Sequence, residues 1–142
     1  MIGLDHAHAI IAGTLAHARS AALKPLGVVV LDSGGHLIAF ARQDGASFGR
    51  IGVARAKAHG ALALGDDTAV LAERARANPV FFASLSGALD GQLALSPGGV
   101  LVRDAHGAIV GAVGVSGDAG PADALAAAAG IVAAGFATGA AA

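Results

Sequence analysis

The chain's 142 residues suit one domain around one core, and a formal net charge of −1 with no basic block excludes the electrostatic footprint of a nucleic-acid binder. It contains no cysteine, which excludes a disulfide frame, a thiolate nucleophile and any Cys-based metal site. Charged residues make up only 13% and hydrophobic residues 55%, so a chain this short is expected to cover part of its surface with further copies of itself.

The first residues, Met1-Ile2-Gly3-Leu4-Asp5-His6, lack the basic and apolar regions of a signal peptide, and a cytoplasmic protein is expected. Asp5 reads as the cap of a helix from His6 to Leu23. At 100° per residue, Leu4, Ile11, Leu15, Ala18 and Ala22 share one stripe. His6, Ile10, Gly13 and His17 lie on the other side, a face without the Lys and Glu of a solvated helix. Lys24-Pro25 ends this helix. Leu26–Leu31 is a β-branched apolar run, hence a buried strand. Asp32-Ser33-Gly34-Gly35 is a tight turn, and His36–Arg42 returns as a second strand.

Gln43-Asp44-Gly45-Ala46 is a loop before a helical pattern from Gly49 to Leu64, which Gly65 stops. Asp66 or Asp67 caps a short helix, Thr68–Ala77, that Asn78-Pro79 terminates. Val80–Gly91 reads as a loop with a short turn. Gln92–Leu95 and Val100–Arg103 flank Ser96-Pro97-Gly98-Gly99 and read as a hairpin. After a turn at Asp104-Ala105-His106-Gly107, Ala108–Val115 is the last strand. Pro121 opens a final helix to about Phe136. The tract from Ala124 to Ala142 is nearly all Ala and Gly, too weakly hydrophobic for a membrane span, and reads as packed helix plus frayed tail. Strands in hairpins with helices packed on them give an α+β fold, one domain over 1–142.

Several segments together resemble the GlcG/HbpS-like family. Val29-Val30-Leu31-Asp32-Ser33-Gly34-Gly35-His36-Leu37-Ile38-Ala39-Phe40 is similar to its "VVDAGGHLVAF" hairpin, and Arg42-Gln43-Asp44-Gly45-Ala46 to its "RMDGA". Ala56-Lys57-Ala58 stands where the family helix carries "KA". Pro97-Gly98-Gly99-Val100 and Gly111-Ala112-Val113-Gly114-Val115-Ser116-Gly117 resemble "PGGVP" and "GAIGVSG". The family includes the C-terminal domain of PduO-type proteins. The resemblance implies a profilin-like antiparallel sheet flanked by helices, self-association into a homo-oligomer, and haem as cofactor at or near subunit interfaces. It also implies a part in haem degradation or iron handling. The chain departs from the pattern after Ser116-Gly117, where many members carry an acidic pair and this one has Asp123 followed by Ala124. His59 is a second departure.

His17 is the first candidate for an iron ligand, because neutral imidazole is a common one and the family implicates a His in the first helix. The plainer alternative for His17 is a half-buried interface side chain. Thr68 matches a family Thr associated with the iron, with helix N-capping as its alternative role. Arg42, Arg50 and Lys57 suit haem propionates or a small acid. A second function class is a lyase or isomerase acting on a small molecule, with Arg42, Asp44, Lys57 and His59 around a pocket at a subunit interface and Asp123 close by. His36 and His106 read as surface residues. The Gly111-x-x-Gly114-x-x-Gly117 spacing lies on a strand, so it is no phosphate loop; its glycines read as room for a close neighbour.

Overall fold

The computed structural model describes residues 1–139. Its elements are α1 (Leu4–Ser20), β1 (Gly27–Asp32), β2 (Leu37–Arg42), α2 (Gly49–Leu64), α3 (Thr68–Ala77), α4 (Pro79–Ala88), β3 (Gly99–Arg103), β4 (Ile109–Ser116) and α5 (Gly120–Ala133). All strand pairs are antiparallel, in the order β2-β1-β4-β3. This is the expected α+β class.

Strand alternation sorts the core into two layers, one on each face of the sheet. Val28, Val30, Val102, Val113 and Val115 point to α1 and α5, joining Ile10, Ala126 and Ile131. Val29, Leu31, Leu101 and Ala112 point the other way, onto Ala54, Ala58 and Ala61 of α2. β1 and β4 carry apolar residues on both faces because both faces are covered by helices. Each large side chain buried this way contributes about 1.5–3 kcal/mol.

Small residues set how closely the layers approach. A Cβ on Gly114 would run into the Ala54 carbonyl oxygen and lie 3.2 Å from the Ala58 Cβ, so α2 rests directly on the β4 backbone. Across the sheet, a Cβ on Gly13 would stand 2.9 Å from the Ala133 Cβ and 3.0 Å from the Gly130 Cα, which places α1 and α5 almost backbone to backbone. Ile10 and Gly13, on the face of α1 that lacks the charges of a solvated helix, are therefore covered by α5 within the same chain.

Four expectations need correction. Gly3, not Asp5, precedes α1; its N–H donates to His6 Nδ1 at 3.1 Å, and Asp5 sits in the first turn. The helix stops at Ser20, since Ala22 takes a left-handed φ of 53°. Val80–Gly91 is not a loop: Pro79 opens α4, supplying the fixed φ that suits a first helical position. Gln92–Leu95 forms no strand. β3 instead pairs with β4 through the Asp104–Gly107 turn, where Asp104 Oδ1 accepts the N–H groups of His106 (2.8 Å) and Ala108 (3.0 Å). The end of the tail, 140–142, lies outside the described residues.

Candidate functional site

The longest-range polar contact in the interior joins α2 to α5. Lys57 and Asp123 are both buried, with side chains 4% and 1% exposed, and Lys57 Nζ stands 3.2 Å from Asp123 Oδ2. Lys57 Nζ also donates to the Val115 carbonyl at 2.9 Å, and Asp123 Oδ1 accepts the Asp118 N–H at 2.9 Å. The Pro97-Gly98-Gly99 turn lies over the lysine; a Cβ on Gly98 would meet Lys57 Nζ at 2.8 Å. Arg50 reaches the same strand end, donating from Nη1 to Ser116 Oγ at 3.2 Å. Burial pushes the Lys57 ammonium below its usual range against the opposing pull of the Asp123 charge. Burial likewise raises the Asp123 carboxyl, opposed by its backbone donors and by Lys57.

The expected acid–base group is therefore divided among three places. Lys57 is closed off in its ion pair with Asp123. His59, half-buried, has Nδ1 3.0 Å from the Gln92 carbonyl and its ring beside Gly35. Arg42 and Asp44 face a groove on the far side of β2, together with Arg19, which the sequence reading did not single out. The signal for Arg19 was its place in the last turn of α1, on the flank that meets the loop after β2.

Thr68 is fully buried at the first position of α3. Its Oγ1 accepts the Gly99 N–H at 2.8 Å, and its neighbour Asp67 accepts the Leu101 N–H at 2.8 Å. The two side chains fasten the start of α3 to β3. Burial raises the Asp67 carboxyl above its usual value.

His6 and His17 share one flank of α1, separated by about 16 Å of helix rise. That distance prevents them from sharing one iron. His6 is committed locally: its Nδ1 takes the Gly3 N–H and its ring packs edge-on against Phe136, centroids 5.2 Å apart. His17 is half-buried, one helical turn beyond Gly13 on the same flank of α1. His36 and His106 are exposed, as expected. Among the described residues, no three His, Asp or Glu side chains gather as a metal site, and no helix is long and apolar enough to cross a membrane.

A family model described as haem degrading protein HbpS-like matches residues 2–132. Three solved structures are similar along nearly their whole lengths. A PduOC:haem complex has 22% identity and a TM-score of 0.85, with 96% of this chain and 97% of that one covered. Klebsiella pneumoniae protein ORFY has 23% identity and a TM-score of 0.85, covering 94% and 90%. HbpS has 27% identity and a TM-score of 0.80, covering 92% and 88%. No curated protein matches.

Proposed function

The chain belongs to the HbpS-like haem-degrading family, and from that membership we propose that it binds haem, with His17 as the residue that would hold the iron, in support of haem breakdown or iron handling. The observation that carries the residue assignment is the contrast between the two histidines on one flank of α1: His6 takes the Gly3 N–H and packs on Phe136, whereas among the described residues half-buried His17 makes no such hydrogen bond or ring contact. Within the seam Gly13 packs directly on Ala133 and Gly130, so a porphyrin held by His17 would lie over the outer surface of α1 and not between the helices. Haem would supply redox-active iron, and what this chain would add is an imidazole donor. Lys57 is closed off in its ion pair with Asp123 and is not open to the propionates, whereas Arg50 is half-buried and spends one nitrogen on Ser116 Oγ.

Haemin added to the protein is expected to give a shifted Soret band that His17→Ala abolishes and His6→Ala leaves in place. Apolar surface takes up haem without ligation, so uptake alone does not count. A Soret band identical in wild type and His17→Ala would remove His17 as ligand.

The protein also assembles with copies of itself, through α4. This helix packs chiefly on α3 and has no charged residue, and it leaves Val80 81% and Phe81 51% exposed. Only Phe82 turns inward, with Phe81 edge-on to it at 5.4 Å. Light scattering at micromolar concentration should show more than a monomer, and Phe81→Asp should shift the mass downward. A monomeric wild type would refute this.

A further inference from the structure

The two flanks of α1 differ in chemistry. His17 and Arg19 lie roughly 160° apart around the helix, so the groove beside Arg19 is separate from the histidine flank. This groove runs between the end of α1 and the loop after β2, open to solvent along its length, with a volume of about 440 Å³. Leu15, Leu23 and Pro25 supply apolar wall, and Arg19 and Arg42 supply charge from opposite sides. We propose that it binds a small organic monocarboxylate with an apolar body, its carboxylate on Arg19 and Arg42 and its hydrocarbon against Leu15, Leu23 and Pro25.

Arg42 is held for the task. Its Nη1 donates to the Ala46 carbonyl at 2.7 Å, which fixes the guanidinium and leaves its other nitrogens to the groove. Gln43 anchors the same loop, its Oε1 accepting the Leu26 N–H at 2.8 Å. Guanidinium groups match a carboxylate through paired N–H donors, and a group already fixed loses less freedom on binding. Asp44 stands at the rim. Two arginines opposed by one carboxylate leave a net single positive charge, which selects a monoanion over a citrate-like polyanion.

The proposal does not depend on haem binding, and the two fail separately, because the haem test reads a Soret band and this one reads heat with an iron-free ligand. Calorimetric titration with sodium hexanoate should give saturable binding, weakened at least tenfold by Arg42→Ala and by Arg19→Ala. Hexylamine, with the same tail and the opposite charge, should not bind. Arg42→Lys keeps the charge without the planar fork and should fall between wild type and Arg42→Ala. Circular dichroism melts establish that each variant is folded; Arg19 is exposed on α1, so Arg19→Ala keeps the test open if Arg42→Ala does not fold. Absence of saturable hexanoate binding, equal affinity in wild type and Arg19→Ala, or equal affinity for hexylamine would each overturn the proposal.

Discussion

Asp123→Leu is expected to lower folding stability by about 3–5 kcal/mol, a large part of the roughly 5–15 kcal/mol that holds a domain together. The substitution leaves the Lys57 ammonium in a dry site with the Val115 carbonyl as its remaining acceptor, and it strips the Asp118 N–H of its partner. Lys57→Met damages the same place from the other side, leaving a buried carboxylate. The pair variant Lys57→Met/Asp123→Leu should recover part of the loss, because apolar replacement of a buried ion pair is often neutral, whereas removal of one partner is not.

The two single variants should respond to pH in opposite directions. Without Lys57, nothing opposes the burial that raises Asp123 except its backbone donors. A carboxyl raised in the folded state binds its proton more tightly there than in the unfolded chain. Lys57→Met should therefore lose least below the ordinary value of 3.8 and progressively more as pH rises through the raised folded value. Without Asp123, burial lowers Lys57 further. The unfolded chain then holds the extra proton, so Asp123→Leu should gain stability as pH rises toward the ordinary lysine value of 10.5. The chain lacks Trp and Tyr, so urea melts followed by far-ultraviolet circular dichroism at acid, neutral and alkaline pH are the suitable measurement. Parallel pH trends for the two variants would show that the pair is not the source of the loss.

Gly114→Val should be more disruptive still. Overpacking in a core costs about 1–3 kcal/mol when side chains can move aside. Here the obstacle is the Ala54 carbonyl oxygen, part of the α2 backbone, so the whole helix must lift from the sheet. Loss of soluble, cooperatively melting protein is expected, and Gly114→Ala should already exceed the usual overpacking cost. Gly52→Ala provides the contrast: a Cβ there meets nothing within 4 Å, on an exposed helical position, so stability should rise by about 0.5–1 kcal/mol. An unchanged melting temperature for Gly114→Ala would mean that α2 does not bear on β4 this closely.

The glycine spacing that foretold this contact shows what local sequence carries. Gly111-x-x-Gly114-x-x-Gly117 sits in an apolar run on a strand, and only a close neighbour explains it. The β1–β2 hairpin was legible for a similar reason, since its turn residues and apolar runs lie side by side. α4 is not legible because Val80–Ala88 has no polar face to reveal a helical period, and Pro79, which terminates α3, also begins the next helix. Lys57 and Asp123 were placed near one pocket, but their pairing inside the protein depends on how α2 and α5 meet β4 from opposite layers. Nothing within a few residues of either specifies that. Arg42 and Asp44 line one groove because they stand two residues apart at the end of β2, and Arg19 is not legible beside them because it reaches that place from another element.

The central strand pair has a consequence for synthesis. Val30 lies opposite Val113, whereas β1 with β2 and β3 with β4 are joined by short turns. Each hairpin can form from neighbouring residues, but the sheet closes only when roughly 80 intervening residues have been made and looped back. At about 5–20 residues per second, the inner edge of β1 waits on the order of ten seconds on the ribosome with its valines unpaired. During that interval the N-terminal hairpin is an open, apolar template that another nascent chain can join. The same long-range pairing that makes the finished sheet cooperative therefore makes the unfinished one the stage most vulnerable to aggregation.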